Sequence, residues 1–323
     1  EIAPEIGAKI WIEEEYGYVG EIIFKNGRKH LFKKANFNVN PHASVEIVKD
    51  KGYTSQFLRR YGYSVAEGQT FFSEGLNQYL SIQRNIDDGW KYIESIGVPV
   101  IIKPNNLSQG VGVQKIENKD EYYDAARKIL DMCPVMIIEK SHTGKDYRVV
   151  VFDGQIISAY MRIPLSITGD GQSPISELID QKEIEIRSKG RNVLIDTSDP
   201  RIIIKLEKQG LNIGTIIEKG QTIFLLDNAN LSTGGESIDV TGTIHPDFQQ
   251  IAINATKDMG LRLCGVDFMT NNIELPLSEN PNYIIIELNS APGLAHYNSA
   301  GETQKKHVKE LYKKILIFLS EHE

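Results

Sequence analysis

A chain of 323 residues, 41% hydrophobic and 24% charged, has the make-up of a globular protein with ample material for a core, built as two domains or one large one with subdomains. The formal net charge of −7 argues against a broad nucleic-acid surface but leaves room for a local cationic pocket, and no stretch approaches the apolar length of a membrane span. Cys133 and Cys264 make neither a disulfide framework nor a CxxC pair, and the acidic start EIAPEIGAKI does not read as a signal peptide, so a reducing cytoplasm is expected.

Residues 8–48 read as short strands: AKIWIEE, YVGEIIF and, after a turn at Asn26-Gly27, KHLFKKANFNV. KDKGYTSQFLRRYG has helical spacing and ends in glycine, YSVAEGQTF reads as a strand, and residues 76–96 as one or two helices. The stretch VPVIIKPNNLSQGVGVQKI, Val98 to Ile116, is strand, glycine loop and strand, followed by the helical DEYYDAARKIL. A mononucleotide P-loop needs Gly, four residues, then Gly-Lys-Ser/Thr running into a helix, and that pattern is absent. A glycine loop between two strands makes a flap whose N–H groups can lie over a polyphosphate, with Lys103 beneath it. An ordinary hairpin with a glycine turn explains the same letters.

Strands dominate from residue 135: PVMIIEK, then DYRVVVFDGQIISAYMRI, a hairpin turning at Asp153-Gly154. A charged helical segment covers residues 172–215, followed by TIFLLDNANL and the pair Gly234-Gly235. A helix over 246–260, the strands LCGVDFMT and NYIIIELN, and an amphipathic helix KKHVKELYKKILIFLSEH complete the series. Interleaved strands and helices of this kind make an α/β or α+β chain with mixed sheets.

In IIIELNSAPG, Glu287 and Asn289 are two apart and share a face of a strand whose other residues are apolar. Asp267 stands in the apolar GVDFM. A buried carboxylate is costly unless paired or metal-bound, and two acids with one amide suit a hard cation such as magnesium. Pairing with Arg or Lys in the core is the plainer explanation, and the glycine loop tilts the balance toward metal. Asp146 and Arg148 likewise share a face; the polar link before them either meets a base and ribose or is a surface turn with a salt bridge. Arg162, alone in an apolar strand, is a core ion-pair member or an anion ligand. His142, His245 and His296 have no zinc-site spacing, and no GxSxG occurs. TGDG (Thr168 to Gly171) and STGGE (Ser232 to Glu236) are glycine turns with hydroxyls.

Taken in order, the segments DKGYTSQFLRRYGYSV, IIKPNNLSQGVGV, EKSHTGKDYRVVVFDGQIISAYMRIP, TGDGQSPISELI, DNANLSTGGESIDVTGTIHPD, CGVDFM and IIELNSAPGL resemble the ATP-grasp superfamily. The likeness is to the ATP-grasp portion of cyanophycin synthetases and of bifunctional glutathione-forming glutamate–cysteine ligases, from about Lys49 to about Tyr297. The resemblance implies an α+β fold with a nucleotide held between two α/β subdomains of mixed or antiparallel sheets. It divides the chain into a short β module (1–48), a linker helix with a reduced N-terminal subdomain (49–97), a central subdomain with the flap (98–142) and a C-terminal subdomain with the metal site (143–323).

Position by position, Lys51 and Lys103 match the lysines that hold the nucleotide phosphates, and Leu107 to Gly112, with Ser108, Gly110 and Gly112, match the flap. Glu139, Lys140 and His142 match the adenine-binding hinge, and Asp146 the ribose-binding acid. Asp267, Glu287 and Asn289 match ligands of magnesium, with manganese as a substitute, and Arg148 and Arg162 match basic residues near the transferred phosphoryl group. The implied activity is ATP-dependent carboxylate–amine ligation through an acyl phosphate, on an amino acid, short peptide or peptide tail. Neither nucleic acid nor membrane is an expected partner, and a homodimer is compatible. Two other assignments stay open: a ligase that modifies a ribosomal peptide, and a nucleotide-binding regulatory protein without turnover. The relatives commonly hold an arginine just before NANLSTGG, where this chain has Leu226 and Asp227, so the resemblance does not extend to their acidic-substrate specificity.

Overall fold

The computed structural model describes residues 2–108 and 110–322, and all four of its sheets are antiparallel. β1 (Ala8–Ile12), β2 (Val19–Phe24) and β3 (Lys29–Lys33) form a meander, closed at its second turn by Gly27 in the left-handed region (φ +85°). Strand character does not run on to residue 48. His42–Lys49 is a helix that starts after Pro41 and buries Val48, and at 8 residues it is too short to show a clear period.

β4 (Gly68–Phe72), β5 (Val100–Pro104), β6 (Gln114–Ile116) and β7 (Val135–Lys140) form a second sheet in the order β4-β7-β5-β6. Val100, Ile102, Met136 and Ile138 project to one side, where helices Ile86–Ile96 and Lys119–Met132 bring Ile93, Tyr122 and Ile129 against them. Alternation therefore turns Lys103, Ile137 and Glu139 to the opposite face.

β8 (Lys145–Phe152) and β9 (Gln155–Ile163) are the expected hairpin, with Asp153 at φ +50° and Gly154 at φ +73°, as a type I′ turn requires. Short β10 (Ser166–Thr168) pairs with β11 (Thr222–Phe224) beside helices Ile175–Ser188 and Pro200–Glu207, which share a small core of their own. β12 (Glu236–Asp239), β13 (Leu263–Thr270) and β14 (Tyr283–Asn289) complete a five-stranded sheet in the order β12-β9-β8-β13-β14. Tyr147, Val149, Val151, Cys264, Val266 and Phe268 bury one face of it beneath helix Pro246–Asp258. Val150, Phe152, Tyr160 and Leu263 bury part of the other face under the β1–β3 meander and the C-terminal helix Glu302–Glu321.

Candidate active site

Only one end of that second face is covered with apolar side chains. At the other end the same period of two presents Asp146, Arg148, Arg162, Asp267, Glu287 and Asn289. Register sets Asp267 between Arg148 on β8 and Glu287 on β14, and Asp146 opposite Arg162. Arg148 grips Asp267 as a fork, donating from Nε and Nη2 at 2.6 Å each. Arg162 Nη2 donates to the same carboxylate at 2.9 Å, and its Nε donates to Asp146 at 2.8 Å. Burial acts to raise the Asp267 carboxyl, but Arg148 and Arg162 together hold it below its usual value. Asp146 goes the other way, raised by burial against the pull of Arg162.

Of the two explanations offered by the sequence for these charges, the geometry displays the ion pairs: Asp267 with Arg148 and Arg162, and Asp146 with Arg162. Glu287 is less buried, 3.7 Å from Arg148, and accepts from Asn289 Nδ2 at 3.1 Å. Among the described residues no three His, Cys, Asp or Glu side chains gather as metal ligands. A cation here would need the Asn289 amide as its third donor, and two carboxylates with one amide oxygen are hard-ion chemistry. For that, Asp267 would share its oxygens between the metal and the arginines.

The central sheet faces this set with its own charges. Lys103 and Glu139, whose side chains are only 7% and 9% exposed, form an ion pair at 2.5 Å. Lys51 opens helix Lys51–Arg60, whose first turn is capped by Asp50 accepting from Tyr53 N at 2.8 Å. Its Nζ donates to Leu107 O at 2.6 Å, and Asn105 ties the same helix to the root of the loop, accepting from Gly52 N at 2.9 Å. Burial lowers the Lys51 pKa; Glu287 opposes this from one sheet, while Lys103 adds to it and Glu139 opposes it from the other. Lys51 thus sits in the field of both sheets.

The glycine loop runs as expected between antiparallel β5 and β6, with Gln109 outside the described residues. Gly110 (φ +73°) and Gly112 (φ +70°) are left-handed, and the Ser108 carbonyl accepts from Val111 N at 3.2 Å. A Cβ on Gly110 would stand 2.3 Å from Asn228 Nδ2, so the loop tip lies against NANLSTGG on the other side of the cleft. In the hinge, Lys140 N donates to Glu67 O and Ser141 N to Pro99 O; His142 is exposed, its pKa lowered by partial burial.

Several other residues of the region escaped the sequence reading. Tyr160 lies buried between the arginines and stacks on Tyr297 at 4.4 Å, whose hydroxyl donates to Asp239. Tyr160 is two before Arg162, so parity alone would have found it. Arg191 and Asn228 gave no such signal. TGDG is a plain turn, with Asp170 accepting from Gln172 N and Ser173 N, and His245 caps helix Pro246–Asp258.

A family model described as D-ala D-ala ligase C-terminus matches residues 59–169, and one described as RimK-like ATP-grasp domain matches residues 213–311. A cyanophycin synthetase of Crocosphaera subtropica is 34% identical over 259 residues, which are 77% of this chain and 28% of that protein. The glutathione biosynthesis bifunctional protein of Streptococcus mutans is 30% identical over 296 residues, 88% of this chain and 36% of that protein. This chain thus spans about a third of the length of the curated relatives it matches. A crystal structure of a bifunctional glutathione synthetase from Pasteurella multocida has the same fold, with a TM-score of 0.58 at 24% identity over 95% of this chain and 42% of that one. Family descriptions, relatives and fold agree, and the chain belongs to the ATP-grasp superfamily.

Proposed function

We propose that this protein is an ATP-dependent carboxylate–amine ligase that forms an amide through an acyl phosphate, acting on an amino acid or a short peptide. Its main support is convergence: Lys51 and Lys103 from one side, Arg148 and Arg162 with Asp267, Glu287 and Asn289 from the other, and a glycine loop spanning the two. In this reading Lys51 and Lys103 neutralise the phosphates of ATP, Glu139 to His142 meet the adenine, and Asp146 takes the ribose. Asp267, Glu287 and Asn289 would hold magnesium or manganese, which supplies charge neutralisation and a template for the phosphate oxygens.

A substrate carboxylate oxygen attacks the γ-phosphorus, the bond to the β-phosphate oxygen breaks, and ADP leaves. The amine then attacks the acyl carbon, phosphate departs, and the nitrogen loses a proton. Arg148 and Arg162 stabilise the charge on the phosphoryl group in flight, and the loop over residues 107–112 keeps water from the acyl phosphate. No protein nucleophile is needed: the work is positioning and charge neutralisation. Cys133 and Cys264, both buried and unpaired, fit a reducing cytoplasm.

An isotope experiment tests the chemistry. With the substrate carboxylate labelled by 18-oxygen, one labelled atom per turnover is expected in the released phosphate, with ADP as the nucleotide product. Hydroxylamine should trap the activated acid as a hydroxamate when the amine is withheld. Production of AMP and pyrophosphate would mean adenylation and would end this reading.

A further inference from the structure

The two edges of the β1–β3 meander are built differently. Glu13 N donates to Val19 O, which fixes the alternation: Val19, Glu21 and Ile23 of β2 exchange backbone bonds with β1. Gly20, Ile22 and Phe24 serve β3, as Phe24 N donating to Arg28 O and Lys34 N donating to Tyr18 O confirm. On β1, therefore, Lys9 and Trp11 turn their N–H and C=O groups to β2, while Ala8, Ile10 and Ile12 turn theirs out of the sheet. Among the described residues no strand pairs with this outer row.

The β3 edge is closed. Lys33 exchanges backbone bonds with Asn36, and the exposed Lys29 and Lys33 place charge along it. β1 has no such protection. Its five residues pair with β2 without a bulge, none is proline and only Lys9 is charged. Ile10 is 44%, Trp11 58% and Ile12 47% exposed, so apolar side chains flank the open row on both faces.

We infer that β1 is the contact between two copies of this chain, joined edge to edge about a two-fold axis so that their three-stranded sheets become one. The strand is complementary to itself. With the axis at Ile10, the outward groups of Ile10 meet those of Ile10 in the second copy, and Ala8 meets Ile12, giving about six backbone hydrogen bonds. These pairs are all apolar and lie on the face that carries Ile22 and Phe24. On the other face Lys9 stands across from Trp11 in both halves, a cation against an indole at the closer of the two cross-strand spacings. Moving the axis to Lys9 would set that lysine against itself. Moving it to Trp11 would leave Ala8 opposite the turn at Glu14 and bring Lys9 to Glu13, whose carboxylate already accepts from Glu15 N, Tyr16 N and Tyr18 N. A contact of five residues a side is small, so the dimer is a weak one, with a dissociation constant on the order of tens of micromolar.

The test is sedimentation velocity of the full chain over a concentration series that brackets this value. Mass should rise from monomer toward dimer, and hydrogen exchange over residues 8–12 should slow in step, because the amides of Ala8, Ile10 and Ile12 are open in the monomer. Trp11→Lys sets like charges opposite each other and should weaken association by about tenfold or more. Adding Lys9→Glu to it restores opposite charges in this register alone and should recover association. Leu31→Lys removes a side chain that is 75% exposed on the closed edge of the same sheet and should change nothing. All three variants replace exposed residues, so melting temperatures near that of the parent are expected and show that each is folded. A monomer throughout the series would overturn the inference and leave the edge to a different chain. Equal losses in Trp11→Lys and Leu31→Lys would overturn it in favour of general apolar adhesion. A double variant that stays monomeric would rule out strands paired in this register.

Discussion

Asp267 serves two masters at the scale of single residues. It is 1% exposed, it answers Arg148 and Arg162 together, and it is also the acid proposed to meet the metal. Glu287, beside it in register, is 32% exposed and stands outside the tight pairs. Near-isosteric neutral replacements should therefore part company. Glu287→Gln should abolish ADP release while leaving unfolding within about 1 kcal/mol of the parent, as expected for a long, partly exposed contact. Asp267→Asn should abolish release as well and also lower stability by about 3 kcal/mol, because it strips a buried carboxylate from two guanidiniums. Urea unfolding beside a product assay checks both. Equal stability of the two variants would mean that the arginines do not depend on Asp267, and near-normal ADP release by both would remove the metal site.

Strand elements made this site legible before the structure, and loop elements hid the rest. Glu287 with Asn289, and Asp146 with Arg148, were readable because a period of two puts alternate residues on one face, whatever the sheet does next. Their partners across the sheet depend on register, which no single strand encodes, so the Arg148–Asp267–Arg162 knot could not be read. β10 and β12, three and four residues long, are too short for any period. Arg191 meets two carbonyls 40 and 44 residues further on, a contact that only the folded loop creates. The flap was legible through its glycines, and it permits a controlled test. Gly110 and Gly27 are both left-handed, at φ +73° and +85°, but a Cβ at Gly110 meets Asn228 whereas one at Gly27 meets nothing within 4 Å. Alanine at either site costs about 1–2 kcal/mol of backbone strain. Only Gly110→Ala should also hold the loop off its seat, lowering amide formation and raising the share of ATP lost to hydrolysis. Measured as phosphate released per amide formed, that ratio should be unchanged in Gly27→Ala. An unchanged ratio in Gly110→Ala would show that the loop does not shield the intermediate.

Across the whole molecule, the two walls of the cleft have separate cores: one around Val100, Ile102 and Tyr122, the other around Val149, Val266 and Phe248. What joins them is slender. Helix Lys51–Arg60 buries Leu58 in the second core and hydrogen-bonds through Gly52 to Asn105 of the first wall, and Val65 bridges to Ile285 of β14. The second wall itself is pinned from afar by Asn40, which accepts from Arg262 N and Leu263 N and donates to Leu263 O and Ser290 O, all within 2.9 Å. A ligand bound between the walls would therefore add cross-links between two separately packed cores, and would stabilise only the closed, folded chain. Binding to the native state alone contributes about 2.7 kcal/mol at a hundredfold excess over the dissociation constant. For a chain of this size that corresponds to roughly 4 °C in melting temperature. Millimolar magnesium–ATP should produce such a shift, and excess chelator should abolish most of it. Lys103→Met should lose most of it too, since the ammonium that meets the phosphates is gone. Hydrogen exchange should slow in the loop after Pro104 and in the hinge after Glu139, the segments that span the cleft. A melting temperature that magnesium–ATP leaves no higher than magnesium alone would mean that these walls do not close on a nucleotide, whatever their fold.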